Sequence, residues 1–275
     1  MIQFENVSFK YKNEEYLLEN LNFKINEGEL ISIVGKNGTG KSTILNLMAG
    51  IIKPTKGNIL IDDIDTKSKK HFMELRKKIG IVFQNPDNQI LFPRVYEDIE
   101  FALKNLGLEN RKERIEEALS LVNMKEFQEK DTYELSLGQK QRINIASVLA
   151  IKPKYIILDE PTTMIDSKEK DNIYNCLQEL KKQGYTIIFV TNNMNEILLS
   201  DKVFILENKQ IKHVFDKKNI IDNVHLIEEC GIKLPDMIEM ILKLKENHIN
   251  VDLKEWTIAE MIDGVVKVCK NEKHY

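Results

Sequence analysis

The chain has 275 residues, 42% of them hydrophobic and 30% charged, which is typical of a globular protein with one sizeable core and a small appendage. Its net charge of −3 excludes bulk electrostatic attraction to nucleic acid or to acidic membranes. Its longest apolar runs are far shorter than the ~20 residues of a membrane-spanning helix. The N-terminus lacks the basic-then-apolar pattern of a signal peptide.

The cysteines and histidines predict no metal or disulfide chemistry. Cys176, Cys230 and Cys269 are odd in number and widely spaced, which favours reduced thiols in a cytosolic protein over a disulfide framework or a thiolate site. The five histidines show no ligand spacing, so we interpret them as ordinary surface or core residues.

The first part of the chain predicts strands and one helix. Residues 3–11 and 21–25 alternate apolar and polar side chains, which predicts an antiparallel sheet with one solvent-exposed face. Residues 29–35 have the pattern of a short buried strand, followed by a glycine-rich turn and a helix that ends at Gly50. Two further strands are predicted, at 58–63 and 79–84.

A helical stretch then interrupts this pattern. From about 86 to 150 the apolar spacing is helical, which predicts an inserted helical subdomain. Strands at 155–160 and 186–190 flank a helix at about 168–183, which predicts a parallel sheet with helices on its faces. A last pair of strands is expected within 203–215.

The last 60 or so residues, about 216–275, have helical periodicity and predict a small helical tail. One helix is predicted to carry Pro235 in its first turn. Capping-box spacing places another helix start at 256–257.

The stretch GKNGTGKST (35–43) fits the pattern G-x-x-x-x-G-K-[ST] and lies between a predicted strand and a predicted helix, the context that the pattern requires. Its glycines allow a tight turn whose backbone N–H groups converge on one anion, beside the positive end of the helix. The lysine would reach the β- and γ-phosphates of a nucleotide, and the serine hydroxyl would hold Mg²⁺. The candidate nucleotide-binding residues are Gly35, Asn37, Gly38, Gly40, Lys41, Ser42 and Thr43.

Two carboxylates follow the apolar strand at 155–158. Unpaired charges at the tip of a buried strand are costly, but next to Mg²⁺ their effect becomes favourable. We therefore predict that Asp159 supports the metal and that Glu160 polarises an attacking water.

Residues 135–150 (LSLGQKQRINIASVLA) predict a helix with Ser136, Gly138 and Gln139 at its N-terminus. Helix capping alone would explain the serine. A hydroxyl, a glycine and an amide beside free backbone N–H groups also form a second anion site. A chain with one phosphate cradle and one spare anion site favours a partner whose cradle it closes.

The residues GKNGTGKST, Gln84, LSLGQKQR, YIILDEPT and Asp166, in this order, resemble the nucleotide-binding subunits of ATP-binding cassette (ABC) transporters. The resemblance covers about 1–215. It implies an α/β P-loop NTPase fold with an antiparallel β-subdomain and a helical subdomain. It also implies that two cassettes face head to tail with two ATP molecules between them.

Three more roles follow from this resemblance. Tyr11 matches the aromatic residue that stacks on adenine, although a strand aromatic in the core is an alternative interpretation. Gln84 matches the glutamine that contacts Mg²⁺ and links the site to the membrane partner. Asp166 matches the acid that communicates across the dimer.

Residues 84–89 (QNPDNQ), the segment TTMID and the tail GIKLPDMIEMILKL resemble the ATPases of energy-coupling factor (ECF) transporters. Members of that family import vitamins or transition-metal ions. The resemblance implies a peripheral protein at the cytoplasmic face of the membrane. Its partners would be a second ATPase subunit, a membrane coupling subunit and a substrate-binding membrane subunit. The tail would help two ATPases, identical or not, to dimerise.

The segment TIIFVTNNM places Asn192 where that family has a histidine that contacts the γ-phosphate. An amide donates hydrogen bonds but carries no charge and shuttles no proton. Losing one positioned transition-state contact typically costs ~10²-fold in rate. We therefore expect slow hydrolysis at the chain's own cradle, with adequate substitution by asparagine as the alternative.

Two other functions are weighed against a transport ATPase. A soluble cassette acting on DNA or ribosomes usually has a coiled-coil insertion or a second cassette, and this chain has neither pattern. A nucleotide-gated subunit that hydrolyses weakly is favoured by Asn192 alone.

Overall fold

The computed structural model describes residues 1–247, 249, 251 and 258–272. In chain order, the strands are β1 (Ile2–Phe9), β2 (Leu18–Ile25), β3 (Leu30–Val34), β4 (Lys56–Ile61), β5 (Ile64–Asp65), β6 (Ile79–Val82), β7 (Tyr155–Asp159), β8 (Thr186–Val190), β9 (Lys202–Glu207) and β10 (Gln210–Asp216). The helices are α1 (Lys41–Met48), α2 (Phe72–Lys78), α3 (Val95–Asn105), α4 (Arg111–Leu121), α5 (Leu137–Ile151), α6 (Ser167–Lys182), α7 (Met194–Leu199), α8 (Val224–Glu229), α9 (Asp236–Glu246) and α10 (Ile258–Glu272).

The strands form two sheets. The antiparallel sheet has the order β2-β1-β4-β5, which confirms the pairing expected for the N-terminal segments. The second sheet has the order β10-β9-β3-β8-β7-β6; its strands from β9 to β6 run parallel, and β10 is an antiparallel edge. Its central strands β3 and β8 are buried along their whole length, which explains their continuous apolar sequence.

Alternate side chains of the parallel strands enter different cores. Tyr155 and Ile157 of β7 face a core shared with α1 and the antiparallel sheet. Ile156 and Leu158 face the opposite core, which α3, α4, α5 and α6 cover. This two-residue period fixes the face to which each side chain points, so the strand ends are held in one orientation.

The helical stretch begins later than the sequence predicts. Between 86 and 94 the chain forms a short 3₁₀ turn at Pro86–Asn88 and an isolated β-bridge from Arg94 to Asp131, and α3 starts at Val95. Proline at 86 and 93 disfavours a continuous helix here, because it lacks an N–H and restricts the residue before it. The sequence interpretation also missed α2 and α7, which are too short to show a clear period.

The C-terminal helices pack against the parallel sheet through a third core that joins β3, β9 and α7 to α8 and α9. Pro235 lies one residue before α9, at its N-cap position, rather than inside its first turn. The predicted helix start at 256–257 lies outside the described residues. Within the described part of the chain, every helix is too short or too polar to cross a bilayer.

An ionic cluster ties the base of β7 to the antiparallel sheet. The Asp62 carboxylate accepts from Tyr155 Oη at 2.6 Å, from Lys154 Nζ at 3.0 Å and from Lys78 Nζ at 3.2 Å. Burial disfavours the charged form of Asp62, but hydrogen bonds from the N-terminal ammonium, Tyr155 and these lysines outweigh it and hold its pKa well below the usual value. The cluster therefore anchors the strand that carries Asp159 at its other end.

We predict that Asp62→Asn lowers the free energy of unfolding at pH 7 by about 1.5–3 kcal/mol, the range for hydrogen bonds to a charged group. Because the folded-state pKa is depressed, this stabilisation is present above the unfolded-state pKa of about 4 and is lost as the pH falls toward the folded-state value. The gap between the variant and the wild type should therefore shrink at pH 3, as measured by denaturant unfolding.

The matched control is Asp63→Asn, the same substitution at the next residue. Asp63 is exposed, and both residues have a positive φ that asparagine also adopts. An equal loss of stability in the two variants would contradict the role of the cluster.

Candidate functional site

The phosphate cradle lies between β3 and α1, as the motif predicts. Lys41 begins α1, and its Nζ donates to the carbonyl oxygens of Gly35 at 2.7 Å and Lys36 at 3.2 Å. Burial lowers the pKa of Lys41, and the nearby Glu160 and Asp159 charges oppose that shift. The lysine is thus a nearly buried cation held inside the turn by carbonyl oxygens, which a phosphate can replace as partners.

Three glycines of the cradle are required for different structural reasons. A Cβ at Gly35 would lie 2.5 Å from the Leu206 carbonyl oxygen, so the turn requires a residue without a side chain. Gly38 has φ +80° and open space around it, so its requirement is conformational. Gly40 has φ +101° and is the N-cap of α1, where the backbone N–H groups of the helix are free to face an anion.

The residues after β7 face the cradle. Ser42 Oγ donates to Asp159 Oδ1 at 3.1 Å. Burial raises the pKa of Asp159; the Ser42 hydrogen bond opposes that rise, and the Glu160 charge adds to it. Serine and aspartate thus lie together as hard oxygen donors, the donor type that Mg²⁺ prefers.

Glu160 lies at the centre of a polar network. Its Oε2 accepts from Gln84 Nε2 at 2.9 Å and from Thr163 Oγ1 at 3.1 Å. Its Oε1 faces Asn192 Nδ2 at 3.4 Å. The Glu160 backbone has a positive φ of 44°, an uncommon conformation for a residue with a side chain. The carboxylate is therefore held in the cleft by three residues from different segments.

Asn192 reaches back to the cradle. Its Nδ2 donates to Asn37 Oδ1 at 2.9 Å, while its Oδ1 is buried without a partner among the described residues. Asn37, Gly38, Gly40, Lys41, Ser42, Thr43, Gln84 and Glu160 line one cleft. The structure thus brings together the predicted residues of the cradle, the strand end and the glutamine.

Tyr11 lies beside the cradle rather than in the core. Its hydroxyl is 3.3 Å from Thr43 Oγ1, and its ring packs edge-on against Phe9. The side chain is 43% exposed, so the alternative of a core aromatic does not describe it. An open ring face next to a phosphate cradle is suited to stack on a base.

The second predicted anion site does not belong to this cleft. Ser136 and Gln139 form a reciprocal capping box: Ser136 Oγ accepts from the Gln139 N–H at 3.2 Å, and Gln139 Oε1 accepts from the Ser136 N–H at 2.9 Å. A Cβ at Gly138 would lie 2.6 Å from Glu169 Cβ, so this glycine lets α5 pack against α6. These residues line no part of the cleft described above.

Asp166 is the N-cap of α6, where its carboxylate accepts from the Glu169 N–H at 3.1 Å. Helix capping therefore accounts for Asp166 within one chain.

Sequence analysis missed two cleft residues, Leu17 and Thr163. The threonine could have been found, since its hydroxyl lies three residues after Glu160, a separation at which a turn can bring the two together. Leu17 has no such signal.

Comparison with known proteins decides the family. A model of the ABC transporter family matches residues 18–163. The energy-coupling factor transporter ATP-binding protein EcfA1 of Fusobacterium nucleatum is 40% identical over 95% of this chain and 97% of its own length. The EcfA protein of Methanocaldococcus jannaschii is 37% identical over 99% of each chain.

The chain belongs to the ATP-binding proteins of energy-coupling factor transporters. As an ABC ATPase of this type, it binds ATP and hydrolyses it as a transport subunit.

Two solved structures have the same fold. One is cbiO1 from Clostridium perfringens, described as part of the ABC transporter complex cbiONQ, with TM-score 0.75, 34% identity and coverage of 87% of this chain and 97% of that one.

The second is the ATP-binding cassette MJ0796, described as a dimer in a post-hydrolysis state bound to ADP and Pi. It has TM-score 0.71 and 32% identity, and the match covers 79% of this chain and 99% of that one. Both similarities confirm the predicted ABC cassette fold, with its antiparallel sheet and helical subdomain.

Proposed function

We propose that this ATPase drives import of a vitamin or a transition-metal ion by closing head to tail with a second cassette over bound ATP. The observation that carries the proposal is the separation of two anion sites within one chain. The cleft contains Lys41, Gln84 and Glu160, whereas the capped N-terminus of α5 contributes nothing to its lining. A second chain would supply Ser136, Gly138 and Gln139 to the open side of the cleft. The dimeric state of MJ0796 supports this arrangement.

Within that dimer, the cradle would hold the triphosphate. Lys41 would exchange its bonds to the Gly35 and Lys36 carbonyl oxygens for bonds to phosphate oxygens, which are stronger because both partners are charged. Tyr11 would stack on the adenine, and Thr43 next to it would bind the nucleotide at the end of the turn. Asp166 would communicate with the second cassette.

Ser42 and Asp159 fit a Mg²⁺ ion, because they place a hydroxyl and a carboxylate oxygen 3.1 Å apart at the cradle. Gln84 would offer a third ligand through its amide oxygen, because its Nε2 is the atom that donates to Glu160. When bound, the ion would neutralise charge on the phosphate oxygens.

Glu160 would orient and polarise the attacking water. The carboxylate accepts hydrogen bonds from Gln84 and Thr163 through one oxygen, so its other oxygen is the one available to the water. Asn192 Nδ2, 3.4 Å from that oxygen, would contact the γ-phosphate as a neutral donor. Closure of the second cassette would exclude bulk water and strengthen each of these interactions.

The membrane partners would dock on a groove between the sheet and the helical subdomain. Its lining combines Ile81 of β6 with side chains from α2, α3 and α5. Four large apolar residues are exposed there: Phe72 (50%), Met73 (48%), Leu91 (67%) and Phe101 (36%). Residues 83–89 connect this groove to the cleft, since Gln89 binds Ile81 and Phe83 while Gln84 binds Glu160.

We place the protein at the cytoplasmic face of the membrane as a peripheral subunit. Residues 1–215 would form the nucleotide-binding domain, with a helical subdomain at about 86–150, and the tail from 216 would pair with that of the second ATPase. Exposed apolar residues on the C-terminal helices support this role: Met240 of α9 is 44% exposed, and Ile262 and Val266 of α10 are 52% and 43% exposed.

We predict that Glu160→Gln preserves ATP binding but lowers turnover at least about 100-fold, because the amide removes the charge that polarises water. Bound ATP should then hold a closed dimer, detectable by size-exclusion chromatography with light scattering. The control is Glu126→Gln, at an exposed position in the helical subdomain. Normal turnover in Glu160→Gln would remove this residue from the proposed mechanism.

We expect Asn192→His to raise turnover of the chain assayed alone by about 10- to 100-fold, because a histidine adds a charged donor toward the γ-phosphate. Asn195→His places the same side chain on exposed surface three residues further on and should change nothing. Brisk wild-type turnover with no gain in Asn192→His would show that asparagine substitutes adequately. No detectable hydrolysis even with membrane subunits present would favour the nucleotide-gated subunit instead.

Met73→Asp and Leu91→Asp should each abolish co-purification with the membrane subunits, because a carboxylate in the groove opposes burial of apolar surface. Val214→Asp replaces a similarly exposed apolar residue on β10, 51% exposed, and should leave assembly intact. Retained ATP binding would show that the variants are folded. Normal assembly in both groove variants would place the docking surface elsewhere.

A further inference from the structure

Five polar residues form a ring of polar contacts behind the cleft. Thr162 Oγ1 donates to Glu196 Oε1 at 2.6 Å, and the Thr191 hydroxyl is near enough to the Glu196 carboxylate to lower its pKa. The Asn193 N–H donates to Thr191 Oγ1 at 2.8 Å, and Asn193 Nδ2 donates to Tyr174 Oη at 3.0 Å. Tyr174 Oη lies 3.4 Å from Thr162 Oγ1, which completes the ring.

The hydrogens of this ring can be assigned without conflict. Thr162 donates its one hydroxyl hydrogen to Glu196, so Tyr174 donates to Thr162 and accepts from Asn193. Burial raises the pKa of Glu196, while the Thr162 and Thr191 hydroxyls oppose the rise. The buried acid is thus partnered by the Thr162 hydroxyl.

Glu196 is too deeply buried to act on a ligand directly. It is 1% exposed, as are Thr162 and Thr191. A buried carboxylate is costly unless it is hydrogen-bonded, so the ring persists only while its members keep their relative positions. The Glu196 side chain therefore restricts the backbone segments that supply its partners.

Those segments are the ones that carry the cleft residues. Thr162 follows Glu160 by two residues in the loop after β7. Thr191 and Asn193 flank Asn192 immediately after β8. A backbone bond from the Glu160 N–H to the Val190 carbonyl oxygen, at 3.0 Å, joins the two loops on their other side. The ring and this bond together hold Glu160 in its uncommon positive-φ conformation.

Tyr174 extends the ring to a third segment. It lies in α6, the helix that Asp166 caps. Movement of α6 would therefore displace the loops after β7 and β8. Glu196 lies in α7. The face of α7 that points away from the ring packs Met194, Ile197 and Leu198 into the core shared with the C-terminal helices. The helix that supplies Glu196 thus has a polar face fixed by the ring and an apolar face fixed by the tail.

We propose that Thr162, Tyr174 and Glu196 are positioning residues that set the placement of Glu160 and Asn192 relative to each other. This inference rests on the roles proposed above for those two cleft residues. The ring residues line no part of the cleft; they act by keeping two loops at the separation that catalysis requires. Small displacements of catalytic groups have large effects on rate, while they affect ground-state binding less.

The test uses the full chain assayed alone, so that every active site carries the same residues. Thr162→Val and Tyr174→Phe each remove one hydroxyl from the ring without a large change of shape. We expect kcat to fall about 3- to 10-fold, the equivalent of one net hydrogen bond, with the KM for ATP changed less than about twofold. Thr162→Ser restores the hydroxyl and should recover most of the rate.

Two matched controls separate positioning from loss of stability. Thr186→Val removes a buried hydroxyl at the opposite end of β8, where Oγ1 accepts from the Gly28 N–H at 2.9 Å. Thr132→Val removes a buried hydroxyl in the helical subdomain, where Oγ1 donates to the Phe92 carbonyl oxygen at 3.0 Å. Both should lower the unfolding temperature as much as the ring variants do, with kcat unchanged. An equal loss of kcat in the controls would overturn the inference.

A double-mutant cycle with Asn192→Ala decides whether the ring acts through that residue. If it does, Thr162→Val should slow the Asn192→Ala variant much less than it slows the wild type. Effects that multiply would overturn the inference. Full activity in Thr162→Val and Tyr174→Phe, with Glu160→Gln inactive, would overturn it and leave the proposed function standing. If Glu160→Gln stays active, the proposed role of Glu160 is wrong. The double-mutant cycle of Thr162→Val with Asn192→Ala would still test whether the ring positions Asn192.

Discussion

The site depends on the parallel register of three buried strands. Ile33 of β3 pairs with Val190 of β8, and Asp159 of β7 pairs with the same Val190. Because parallel strands end at one edge of the sheet, this register places the turn after β3, the carboxylates after β7 and the amides after β8 around one cleft. A shift of one residue in β7 would turn the Asp159 carboxylate toward an apolar core.

The same edge concentrates charges that one chain only partly compensates. Lys41 donates to carbonyl oxygens and is stabilised by the nearby charges of Asp159 and Glu160, while burial shifts the pKa values of Lys41 and Asp159 toward their neutral forms. A bound triphosphate with its cation would make this cluster more stable, because it supplies the missing counter-charges. The polar strand ends are therefore a cost to folding that nucleotide binding can offset.

Several residues that match family motifs also stabilise the fold of the single chain. Ser136 caps α5, Asp166 caps α6, and Gly138 allows these two helices to pack. These roles do not compete with binding of a second chain, because a capped helix still presents backbone N–H groups at its first turn. They mean that substitutions at these positions report on folding as well as on nucleotide chemistry.

The sequence by itself determined the cradle, the strand ends and the order of the elements. These depend on local rules: glycine spacing around Lys41, continuous apolar runs, and acids directly after a strand. It did not reveal α2 or α7, because helices of two turns or fewer show no clear period. Only the tertiary structure decided that Glu196, 34 residues after Thr162, shares a hydrogen bond with it. Such a contact depends on sheet register and helix packing, which no local pattern specifies.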